Sequence, residues 1–123
     1  MKKGGYVDGY VMVVSKKNVK AYQKMAEEGR KLWMKYGALD YKECVGDDLK
    51  INWGTRRFDK LTKAKSNETV FFSYIVFKSR AHRDAVNKRV HKEIVASGAD
   101  KHIDAPFDMK KMAYGGFKVL VGN

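Results

Sequence analysis

Nine residues near the middle of the chain, Thr69-Val70-Phe71-Phe72-Ser73-Tyr74-Ile75-Val76-Phe77, constrain the fold more than any other feature. Aromatic and β-branched residues dominate the run, so it reads as a strand. Side chains alternate across a strand. Val70, Phe72, Tyr74 and Val76 therefore share one face, and Phe71, Ser73, Ile75 and Phe77 share the other. A strand with one face in water alternates apolar and polar residues. This one is apolar on both faces, which makes it a central strand covered from both sides. The segment Tyr6 to Val14 has the same character, with Val7, Val11 and Val13 opposite Tyr6, Tyr10, Met12 and Val14.

Helical periodicity fills the gaps between strands. Ser15 stands where an N-cap would, and Val19, Tyr22, Ala26, Gly29, Trp33 and Tyr36 form an apolar stripe at i, i+3, i+4 spacing. Gly37 closes that helix. Ala38 to Val45 returns to strand character, with Leu39, Tyr41, Glu43 and Val45 on one face. A second helix runs from the Ser79 cap over roughly Arg80 to Val95, with Ala85, Val86, Val90 and Ile94 as its buried stripe, and Ser97-Gly98 ends it. A last strand covers Tyr114 to Val121. Two irregular stretches, 49–68 and 99–112, are longer than ordinary connections. The order predicts one domain over 1–123 of α+β class: a ferredoxin-like βαββαβ subunit, a four-stranded antiparallel sheet with two helices on one face.

Two helices cover only one face of such a sheet. The other would be an apolar patch larger than monomers usually expose. The same face of a second copy is the expected cover, giving a homodimer through the sheet face. The alternative is that the two long excursions fold back over it.

Composition narrows the function classes. The chain carries 26 Lys+Arg against 14 Asp+Glu, a net charge of +12. Its 44% hydrophobic content excludes a disordered basic tail. A basic ferredoxin-like domain suggests RNA recognition, but the Gly-aromatic signature of that module is missing from the central strand. The lysines are dispersed, which marks a solvated surface, so no specific nucleic-acid partner is expected, and weak nonspecific binding at low salt is a lesser alternative. The single cysteine, Cys44, forms no internal disulfide and points to a reducing compartment. No apolar run has membrane-helix length. Lys2, Lys3 and the stretch after them lack a cleavage site, so a cytoplasmic location is expected.

The blocks Tyr6-Val7-Asp8-Gly9-Tyr10, Gly37-Ala38-Leu39-Asp40-Tyr41, Glu43 to Asp48, Lys78 to Asn87, and Pro106-Phe107-Asp108 running into Met112 to Phe117 resemble the YbaA-like family of small uncharacterised bacterial proteins. The resemblance covers nearly the whole chain. It implies a ferredoxin-like subunit in a dimeric α/β barrel, the architecture of antibiotic-biosynthesis monooxygenase-type proteins, and it implies no reaction. Haem degraders of that superfamily use an Asn, a Trp and a His. Here the first strand offers Asp8 and Tyr10, the third offers Tyr74, and only His82 fits by type, so that activity does not carry over.

The functional expectation is a small, partly apolar molecule bound within the joined sheets, with cofactor-free monooxygenase-like chemistry as its enzymatic form. The alternative is a non-enzymatic dimer whose barrel is filled by side chains. His82 and Asp8 are the catalytic candidates. His82 titrates near neutrality and shares a helix stripe with Arg89 and Glu93; the structural alternative is local hydrogen bonding in the first turn. Asp8, on a central strand, needs a partner or a cavity. It either lines a pocket with Tyr10 and Tyr74 or pairs with a basic residue of the neighbouring strand. Tyr10, Tyr41, Tyr74, Arg89, Glu93 and Trp53 complete the ligand-binding candidates. Trp53, with Arg56, Arg57 and Phe58, is a lid, an interface anchor or an aromatic plug. His82, His91 and His102 lack metal-ligand spacing, so neither a metal nor a cofactor is expected.

Overall fold

The computed structural model describes residues 1–99 and 106–123. Strand β1 (Tyr6–Ser15) leads through a 3-10 turn into helix α1 (Val19–Lys35), then β2 (Asp40–Val45). A one-turn helix α2 (Phe58–Leu61) interrupts the first excursion. It is followed by β3 (Glu68–Phe77), helix α3 (Arg80–Ser97) and β4 (Ala113–Lys118). The strands form one antiparallel sheet in the order β2-β3-β1-β4. This is the expected ferredoxin-like arrangement, with the two doubly apolar strands at its centre.

Local signals account for the helix ends. Ser79 accepts a hydrogen bond from the His82 N–H and caps α3, while Gly98 ends it at φ 75°. Gly37 follows α1 at φ 108°, a conformation that glycine adopts without the Cβ penalty. Ser15 makes no side-chain cap bond, and α1 begins four residues after it. The last strand stops at Lys118, leaving Leu120 and Val121 exposed.

Both long helices lie on the face carrying Tyr6, Asp8, Tyr10, Met12 and Val14. Two apolar clusters form there. Tyr6, Ile75 and Phe77 pack under Val86 and Val90 of α3. Met12, Val14 and Phe71 pack under Tyr22 and Ala26 of α1. Tyr10 touches both clusters. The second excursion contributes Phe107, which bridges to Val14 and sets its ring edge-on against Tyr22.

On the opposite face, cover is shared unevenly. Val13 and Val70 are buried at one end, where α2 sets Phe58 against Phe72. Excursion 49–68 thus supplies part of the cover that the alternative assigned to it. Phe72 is nevertheless 48% exposed and Phe117 62% exposed. The Phe117 ring lies over the cross-strand pair Gly9 and Gly115, where a Cβ at either would stand within 3.5 Å of it.

Candidate functional site

Strand register assembles the polar residues of the helix face into two adjacent rows. Glu43, Ser73, Tyr10 and Tyr114 lie side by side across β2, β3, β1 and β4. Tyr41, Ile75, Asp8 and Gly116 form the next row. The two rows hold two carboxylates, and the fold treats them differently.

Asp8 is fully buried. The Arg83 guanidinium of α3 approaches it, with Nε 3.3 Å from Oδ1, and Asn87 Nδ2 donates to Oδ2 at 3.3 Å. Asn87 in turn accepts from Trp33 Nε1 at 2.9 Å, and Arg83 donates to the Tyr6 hydroxyl at 3.0 Å while stacking over its ring. A chain of polar contacts therefore ties α1, α3 and β1 together. Burial pushes the Asp8 carboxyl above the ordinary carboxylate value, against the opposing effects of Asn87 and Arg83. The side chains pack closely over β4 here: a Cβ on Gly116 would stand 2.5 Å from Arg83 Nη2.

Glu43 has a different environment. Its carboxylate accepts from Tyr22 OH at 2.7 Å, from Tyr41 OH at 2.9 Å, and from Ser73 Oγ. Burial first, then Glu43, raises the Tyr22 and Tyr41 hydroxyls well above the ordinary phenol value. Both remain donors at neutral pH. α1 passes so close that a Cβ on Gly29 would lie 3.0 Å from the Tyr41 hydroxyl, so a larger residue there would push that hydroxyl aside.

A cavity of about 800 Å³ opens beside this cluster, between the sheet and the two helices. Tyr10, Met12, Leu32, Trp33, Ile94 and Phe107 supply most of its apolar wall, and Glu43, Tyr41 and Ser73 its polar corner. The cavity thus lies on the helix side of the sheet, whereas the expected pocket was the space between joined sheets.

The sequence candidates are redistributed accordingly. Tyr10 and Tyr41 line the cavity, and Tyr10 stacks on Tyr114 with ring centres 4.8 Å apart. Tyr74 borders the cavity between Ser73 and Ile75, but its ring is on the other face, beside Phe72, because it is out of phase with them. Asp8 and Tyr74 therefore cannot share a pocket, and the partner of Asp8 comes from a helix instead of a neighbouring strand. His82 takes the local alternative: its Nδ1 accepts from Lys78 N–H at 3.0 Å while its own N–H bonds Ser79. Burial and then Lys78 lower its pKa. Arg89 is exposed, and Glu93 is held by Tyr36 at 2.7 Å and Lys35 at 2.6 Å, so no His82–Arg89–Glu93 line forms, although Glu93 does border the cavity. Ala85 is exposed as well. Trp53 is 85% exposed and plugs nothing, and Arg57 pairs with Asp59 at 2.5 Å. His102 lies outside the described residues. Glu43, Ser73, Tyr22, Arg83 and Asn87 were missed as site residues. Only the placement of Glu43 and Tyr41 on one strand face hinted at the cluster.

Comparison with known proteins yields a consistent picture. A family model described as a protein of unknown function, DUF1428, matches residues 5–109. The uncharacterized protein YbaA of Escherichia coli K12 is 35% identical over 116 residues, which is 94% of this chain and 97% of that protein. YbaA of Shigella flexneri matches with the same figures.

Proposed function

This chain belongs to the DUF1428 family, and from that premise we propose that it binds a small, largely apolar molecule in the cavity between its sheet and helices. The observation that carries this reading is the cavity's make-up: about 800 Å³ of mostly apolar wall, with a polar corner at Glu43, Tyr41 and Ser73 and charged residues such as Glu28, Lys31, Lys35 and Glu93 along its rim. Sites for small molecules have this size and this division of labour, in which apolar walls supply affinity and a few polar groups set orientation. The walls come from two separate clusters, so the cavity is the gap left where two packed ends of the core meet at Tyr10. The neutral dye Nile red tests the proposal. Saturable one-to-one binding is expected, with loss of binding in Ile94→Trp, which fills the cavity. No saturable binding, or equal binding by the Trp variant, overturns it.

A second copy is proposed as the cover of the opposite face. Phe72 and Phe117 stand exposed there beside Val7, Val11 and Tyr74, a surface continuous over β3, β1 and β4. A two-fold pairing would place this patch against itself. Native mass spectrometry at micromolar concentration should show a dimer, and Phe72→Glu a folded monomer. A wild-type monomer overturns the pairing.

A further inference from the structure

We infer, resting on the binding proposal above, that the ligand is an organic cation: an apolar body bearing a protonated amine that hydrogen-bonds to Glu43. The case begins with charge. Glu43 accepts from three hydroxyls, and hydroxyls bring no net charge. Among the described residues no Lys, Arg or His lies within ion-pair distance of it. This contrasts with Asp8, which has Arg83 at 3.3 Å in the adjacent row.

The lysines at the cavity rim do not fill the role. Lys31 faces Glu28, Lys35 holds Glu93, and Lys42 holds Asp40, each within 4 Å. Each therefore has a carboxylate of its own at the exposed rim, and none of them pairs with Glu43. A carboxylate offers roughly four acceptor positions, and three are filled, so one remains for a ligand donor.

The walls agree with the charge. Tyr10, Tyr22, Trp33, Tyr41 and Phe107 all border the space. Aromatic faces attract cations, most strongly where water is excluded. An anionic head group would meet the Glu43 charge while the nearby Tyr22 and Tyr41 donors are already committed to it. A neutral alcohol would make one uncharged hydrogen bond. Hydrogen bonds to charged partners are the stronger kind, which sets the amine about tenfold ahead of the alcohol.

Three compounds of one shape form the test: naphthylmethylamine, naphthalenemethanol and naphthoate, each competing against Nile red at pH 7. The amine should displace the dye about tenfold better than the alcohol, with the naphthoate weakest. In Glu43→Gln, which keeps size but removes the charge, amine and alcohol should become equal. Tyr41→Phe frees an acceptor position and should keep or strengthen the amine preference, which provides a second readout if the Gln variant does not fold. Dye binding with alcohol or naphthoate equal to or better than amine overturns the cation assignment and leaves the binding proposal standing. Dye binding with no displacement by any of the three does the same. Failure of the dye itself overturns the binding proposal.

Discussion

Arg83→Met should destabilise the protein by an amount that depends strongly on pH, and the structure bounds that amount. Asp8 has no exposure to solvent, and among the described residues its cationic partner is Arg83 at 3.3 Å. Losing a partner in a buried pair costs about 3–5 kcal/mol when the remaining charge must stay. Asp8 has an escape, because it can take up a proton. Relative to an unfolded chain with the ordinary value of 3.8, that proton costs about 1.4 kcal/mol per pH unit. The charge penalty therefore has a ceiling of about 4.4 kcal/mol at pH 7 and about 1.6 kcal/mol at pH 5. The direction is set by linkage. A carboxyl raised in the folded state holds its proton more tightly there, so its contribution is complete below the unfolded value and is lost as pH rises through the folded one. Removing Arg83 raises the folded value further and extends the loss to higher pH. The Tyr6 hydrogen bond adds about 1 kcal/mol that does not vary with pH. Urea unfolding at fixed protein concentration, followed by far-UV circular dichroism at pH 5 and pH 7, reads the difference. The expected penalty at pH 7 exceeds that at pH 5 by about 2 kcal/mol. Asp8→Asn placed on top of Arg83→Met should remove the pH dependence. His82, held below its ordinary 6.5 by burial, is common to all the variants. Equal penalties at the two pH values would refute the account, because they would mean that Asp8 carries no desolvated charge.

Other substitutions test separate contacts. Gly116→Ala drives a methyl into the Arg83 guanidinium and the Tyr6 hydroxyl, and should cost about 1–3 kcal/mol in urea unfolding; a neutral outcome would show that the packing between β4 and α3 can relax. Ser79→Ala removes the cap on α3 and should cost about 1 kcal/mol, read as a lower thermal midpoint. His82 is lowered from its ordinary 6.5 by burial and by Lys78, so its share of stability is present above that value and lost as pH falls through the folded one; His82→Gln should flatten the stability profile below pH 6.5, and an unchanged slope would remove the histidine as its source.

The fold was legible because its constraint is local. Two strands apolar on both faces must be central, and with two helical stripes between strands only one common sheet order places them so. The site was less legible, and α3 shows why. The stripe read through His82, Arg89 and Glu93 lies about one residue round the helix from the face that packs, which is centred on Arg83, Val86 and Val90. One residue is about 100° on the wheel. Arg83 and Asn87 look like surface residues by type, and only the burial of Asp8 on β1 draws them inward. Glu43 presents a similar problem. Its partners Tyr22 and Ser73 are 21 and 30 residues away, and the register of β2 on β3 brings them together. Trp53 drew attention by residue type and proved to be exposed.

The contrast between the two carboxylates has a structural origin. α3 lies over the end of the sheet carrying Tyr6 and Phe77, and α1 over the end carrying Met12 and Phe71. Asp8 sits under the α3 end, where Arg83 and Asn87 reach it. Asn87 then holds Trp33, a wall of the cavity, so the buried ion pair fixes one side of the site. Glu43 sits between the two ends, close to α1 at Gly29 through Tyr41, where among the described residues its partners are three hydroxyls. A carboxylate compensated by a guanidinium gains little from a bound cation, while one compensated by hydroxyls still attracts it. The same sheet face therefore uses Asp8 to brace the helices and places Glu43 at the border of the space between them.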